Sequence, residues 1–159
     1  IADWGAIFLI AVAHVSEGDA ALGYAVFSIA MMTMRLIGGQ IVHQFGVTKT
    51  ARLAALITMI GSSIVLTFTS FAYILAGFGL IGLGLSVIIP LAFSRAANDK
   101  NVSQGAAIAS VATLGYGGFL LGPPLIGLIA DISSIRTSFL ILPVLAVLIF
   151  AFSRYLSTK

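Results

Sequence analysis

The chain has 159 residues, 60% of them hydrophobic and only 8% charged, where a soluble domain carries about 25% charged residues. Its mean hydropathy of +1.15 excludes a water-facing surface and with it a soluble enzyme or binding module. Eight basic residues against five acidic make no patch for nucleic acid, and the absence of cysteine removes disulfide scaffolds and thiolate metal sites.

A bilayer core about 30 Å thick takes roughly 20 apolar residues as a helix. Residues 1–13 are apolar but too short to span, and read as the rear of a helix whose front is missing. They carry Asp3, an ionisable group inside the membrane, which is costly there and marks a proton or substrate site by default. The plainer alternative pairs it with a residue outside this sequence. Trp4 can stack on a sugar-like ring or anchor at the interface, and the anchor is the plainer choice. In the polar turn 14–19, His14 and Glu17 are too few for a metal site, while Glu17 and Asp19 suit a helix start.

The next span, 20–42, puts Tyr24, Ser28, Met31 and Arg35 on one face. Arg35 reads first as a guanidinium snorkelling to headgroups, with an anionic partner as the alternative. A turn at 43–51 holds His43, Gly46 and Lys49, and Gly46 is placed to supply a positive φ. Spans follow at 52–69 and 72–94, the second with Gly79, Gly82, Ser86 and Pro90 on one face. Its Gly77-x-Gly79-x-x-Gly82 spacing looks like a dinucleotide loop, but no strand precedes it and it lies mid-membrane.

The span 104–130 carries Gly115, Gly117, Gly118, Gly122, Pro123, Pro124 and Gly127. Its proline pair removes backbone hydrogen bonds and is expected to bend the helix, while its glycines allow close packing. A last span covers 136–156. Alternate turns hold six basic residues against one, so the set containing Lys49, Arg52, Arg95, Lys100, Arg154 and Lys159 is expected in the cytoplasm. The Asn101-Val102-Ser103 acceptor then faces the wrong side for glycosylation. No H-E-x-x-H, G-x-S-x-G or phosphate-binding G-x-x-x-x-G-K motif occurs, which speaks against a membrane enzyme.

Gly39-x-x-x-His43-x-x-Gly46-x-x-Lys49 resembles the cytoplasmic loop motif of the major facilitator superfamily, with His43 where the strong copy has Asp. That difference suggests the degenerate copy, between helices eight and nine. Gly118-x-x-x-Gly122-Pro123-Pro124-x-x-Gly127 similarly resembles the Gly-Pro pattern of helix eleven. Asp3-Trp4, Leu22-Gly23-Tyr24-x-x-Phe27 and Pro90 fall where bacterial sugar-permease-like members have similar residues.

The resemblance implies an all-α integral membrane protein, one six-helix half of a facilitator bundle with its first helix truncated. Its N-terminal half would be absent from the sequence, and the half alone would not transport. It implies secondary active transport of a small solute by alternating access, driven by a proton gradient since no nucleotide site is present, in the cell inner membrane with a cytoplasmic C-terminus. Asp3, Trp4, Tyr24, Ser86 and Tyr116 would line the cavity. Gly39, His43, Gly46 and Lys49 would form a gating loop, and Gly79, Gly82, Pro90, Gly122 and Pro123 would shape moving helices. No cofactor or metal is expected; the partners are the solute, the bilayer and the missing half. A drug or metabolite efflux antiporter is the alternative within transport, and a non-transporting structural or sensing subunit is the alternative outside it.

Overall fold

The computed structural model describes residues 1–156, and every regular element in them is helical. In chain order these are α1 (Gly5–Ala13), α2 (Glu17–Phe45), α3 (Val47–Thr67), α4 (Phe71–Leu85), α5 (Ile88–Ala97), α6 (Gln104–Ile132), α7 (Ile135–Ser138) and α8 (Ile141–Phe152). A 3-10 turn, Ser153–Leu156, follows. Five segments are long and apolar enough to cross a membrane: α2, α3, Phe71–Ala97, α6 and Ile135–Leu156. At 29 residues each, α2 and α6 are about 44 Å long and must tilt or protrude.

Local chemistry sets the helix ends. His14 closes α1 in the left-handed region at φ 53°, a conformation histidine tolerates better than most side chains. Ser16 caps α2, its hydroxyl oxygen accepting from the Asp19 backbone N–H at 3.2 Å while the hydroxyl donates to the Asp19 carboxylate at 2.7 Å. Glu17 and Asp19 thus lie in the first turn, where the helix dipole favours anions. At the far end Gly46 alone joins α2 to α3, with φ 79° and ψ 159°, a backbone region open essentially to glycine.

Two spans expected as single helices are interrupted. The break at Ser86–Val87 lies four residues before Pro90, whose ring would strike the Ser86 carbonyl of a continuous helix and whose nitrogen cannot donate to it. The break at Phe139–Leu140 stands in the same relation to Pro143, and the Phe139 carbonyl there accepts from Leu142 N–H instead, at 3.0 Å. By contrast α6 stays helical through Pro123 and Pro124, the pair expected to bend it.

Helix association in lipid gains little from the hydrophobic effect, because acyl chains are as apolar as leucine; close backbone approach takes its place. The centre of the bundle is α4, packed between α2 and α3, with α8 on the far side of α3. Gly61 and Gly77 meet where α3 crosses α4. A Cβ on Gly61 would lie 2.7 Å from the Gly77 carbonyl oxygen, and one on Gly77 2.8 Å from that of Gly61. The apparent dinucleotide spacing is therefore a two-sided packing pattern: Gly77 faces α3, while Gly79 and Gly82 face Val26 and Phe27 of α2. Near the His14 end the buried rings of Phe8, Phe78 and Phe139 fill the space between α1, α4 and the α7–α8 corner. A smaller core of Ala51, Ala54, Val87 and Leu91 lies toward the Gly46 end.

Candidate functional site

The α4–α5 break faces α2 across a cavity of about 360 Å³. On the α2 side Gly38 and Gly39 thin the wall, and Arg35 supplies a guanidinium. On the opposite side stand Ser86, Pro90 and Ser94. Gly38 is what lets the walls meet, since a Cβ there would lie 2.9 Å from Val87 Cγ1. Ser86 is fully buried and its hydroxyl donates to the Leu83 carbonyl at 2.6 Å, so it keeps only lone pairs to offer. A second cavity, about 420 Å³ between Ile88, Ile149 and Phe152, is lined almost wholly by apolar groups and offers no comparable chemistry.

The other sequence-derived residues are not gathered into this cavity. Asp3 is exposed, just before α1. Trp4 turns toward α6: its indole N–H donates to the Pro123 carbonyl at 3.1 Å, and its ring covers Gly127, where a Cβ would come within 3.0 Å. Trp4→Phe keeps the ring and loses that bond, so it should cost about 0.5–1.5 kcal/mol, read as a small drop in thermal midpoint in detergent. A larger loss would mean that the indole does more than bridge α1 to α6.

Tyr24 and Tyr116 are exposed on α2 and α6. Gly39, His43, Gly46 and Lys49 are also exposed around the α2–α3 corner. The ion pair found among the described residues is Arg95 with Asp99, at 3.0 Å. The Asn101 backbone N–H, donating to Asp99 at 2.9 Å, and then the Arg95 guanidinium hold this carboxyl below its ordinary value and fix the α5–α6 turn.

The exposed faces differ in kind. On α3 the outward residues include Leu53, Leu56 and Ile60, and on α8 Val144, Val147 and Leu148, all plain aliphatics suited to lipid. On α2 the exposed set includes Tyr24, Thr33, Arg35 and Gln40 beside Leu22, Ile29, Met32 and Leu36. On α6 no residue is buried, and Gly115, Gly117, Gly118 and Gly122 have nothing within 4 Å of where a Cβ would stand. Small and polar residues so placed are wasted on lipid and belong against protein or water. Sequence reasoning missed Ser94 and the Pro143 break. A proline within an apolar span was the signal available for either interruption, and Pro123 and Pro124 carry it without a break.

The model of the Major Facilitator Superfamily matches residues 2–159. The chain belongs to the major facilitator superfamily. An uncharacterized transporter of Sinorhizobium fredii is 42% identical over 147 residues, covering 92% of this chain and 39% of that protein. An uncharacterized MFS-type transporter of Yersinia pestis is 39% identical over 137 residues, 86% of this chain and 36% of the relative. The membrane protein MosC of Rhizobium meliloti is 37% identical over 131 residues, 82% of this chain and 32% of its own length. The facilitator chain described here thus spans about two fifths or less of the relatives it matches. No solved structure matches it.

Proposed function

We propose that this facilitator segment is one six-helix half of a secondary active transporter that moves a small solute by alternating access, coupled to protons. The observation that carries the reading is on α2 and α6: uncovered Gly115, Gly117, Gly118 and Gly122 on α6 and exposed Tyr24, Thr33, Arg35 and Gln40 on α2, set among exposed apolar residues of the same helices. A second half packed against α2 and α6 would complete a path between the two, and rocking of the halves would open it to each side in turn. Transporter names among the relatives support transport and name no solute.

The six-to-one distribution of basic residues supports a C-terminus in the cytoplasm of a cell whose inner membrane holds the protein. The turn of Gly39, His43, Gly46 and Lys49 would then form a cytoplasmic gate, with Gly46 fixing its sharp corner. Asp3 and Trp4 would sit near the midplane, nine or ten residues below the α1 end at Ala13. Tyr24, Ser86 and Tyr116 would complete the lining. Gly79, Gly82, Pro90, Gly122 and Pro123 would shape the helices that move.

Proton coupling is assigned to Asp3, which is exposed just before α1 in this segment and would lie near the midplane of the membrane. In proteoliposomes of the transporter at its natural length, Asp3→Asn should abolish accumulation of solute above equilibrium while solute exchange down its gradient persists. Undiminished proton-driven accumulation in that variant would remove Asp3 from the mechanism.

A further inference from the structure

We infer that the solute taken up at the α2–α5 cavity carries a carboxylate on a compact apolar body, and that Arg35 holds the carboxylate. This rests on the transport reading above and adds to it the chemical class of the solute. Arg35 stands ten residues before the α2 end at Phe45, about 15 Å along the axis, and borders the cavity.

Among the described residues no carboxylate pairs with Arg35: Glu17, Asp19 and Asp131 belong to the other end of their helices, Asp3 is exposed just before α1, and Asp99 is taken by Arg95 at 3.0 Å. Of the other polar groups, the Ser94 hydroxyl can donate to an anion, whereas Ser86 has spent its proton on Leu83 and offers only lone pairs. Planar, paired N–H donors match the two oxygens of a carboxylate, which is why arginine favours that group.

The rest of the wall decides what the carboxylate is attached to. Val42, Val87 and Leu91 offer no partner to hydroxyls, so a polyhydroxylated body would lose water without compensation. A volume of about 360 Å³ suits a small molecule. Gly39, with nothing within 4 Å of its missing Cβ, leaves room beside the guanidinium. The cavity therefore favours a small monocarboxylate over a sugar, against the sugar-permease likeness of the flanking motifs.

The test is thermal unfolding of the natural-length transporter in neutral detergent without anionic lipid, with benzoate, its uncharged counterpart benzamide, or inorganic phosphate. Benzoate should raise the midpoint and benzamide should not, a comparison that needs no variant to fold. Arg35→Gln should remove the benzoate shift. Arg35→Lys, which keeps the charge and loses the paired geometry, should weaken apparent binding about tenfold. Absence of any benzoate shift would overturn the site, as when a carboxylate elsewhere in the full protein already occupies Arg35. So would a shift equal in Arg35→Gln or with benzamide. Stabilisation through Arg35 by added phosphatidylglycerol but not by benzoate would overturn it in favour of a lipid headgroup. Benzoate binding through Arg35 without any flux in proteoliposomes would keep the site and sink the transport reading; flux indifferent to carboxylates would do the reverse.

Discussion

Replacing Gly84 with leucine is expected to leave no folded bundle. Where α4 passes α3, a Cβ on Gly84 would collide with the Thr58 hydroxyl and stand 2.5 Å from the Ala54 carbonyl oxygen. Backbone cannot swing aside as a side chain can, and Thr58 is itself tied to that carbonyl by a 2.9 Å hydrogen bond. Even Gly84→Ala should cost about 1–3 kcal/mol, the usual penalty of overpacking a fitted interface. Leucine adds three more heavy atoms to a contact that already has no room. Thermal unfolding in detergent would show it: a lowered midpoint for alanine and no cooperative transition for leucine. An unchanged midpoint for both would mean that α3 and α4 do not touch along this line.

Gly118 on α6 should behave in the opposite way. It is exposed, with nothing within 4 Å of the position a Cβ would take. Gly118→Leu removes a poor helix former from a helix interior, so α6 itself should gain up to about 1 kcal/mol. Transport should nevertheless fall at least about tenfold, because a close approach between halves worth only about 1.4 kcal/mol in one state is enough to shift it that far. Uptake and unfolding measured on the same natural-length variant separate the two effects. Full activity would place Gly118 against lipid and withdraw α6 from the proposed path. The two glycines look alike in sequence and differ only in what faces them.

That difference marks the limit of what could be read from residues alone. The spans and the glycine corner at Gly46 were legible because each depends on neighbours within a few positions, whereas the start of α2 at its Ser16 cap lies ahead of the residue 20 expected. Family membership was legible too, since the loop and Gly-Pro patterns kept their order and spacing. The helix interruptions were not. Pro123 and Pro124 drew attention, yet their helix runs on, while the single Pro90 and Pro143 each follow a break. A proline removes one donor wherever it stands; whether the chain breaks depends on tertiary packing around the freed carbonyl. Arg35 was legible as a membrane cation but not as a cavity wall. Its neighbours there, Ser86 and Ser94, come from a helix pair roughly fifty residues away in sequence, brought close by Gly38 against Val87.

The central claim is that the exposed faces of α2 and α6 line a watery path, whereas those of α3 and α8 meet lipid. These 159 residues contain no cysteine, so a single cysteine introduced among them, with any cysteine elsewhere in the protein replaced, can report on this directly. Maleimide reacts with thiolate, which forms only where water reaches the sulfur. In the natural-length protein in membranes, Tyr116→Cys on α6 should react with a charged, impermeant maleimide, and Ile60→Cys on α3 should not, although their side chains are 76% and 55% exposed in this segment. Equal labelling of the two, or none at Tyr116→Cys from either side of the membrane, would contradict the account.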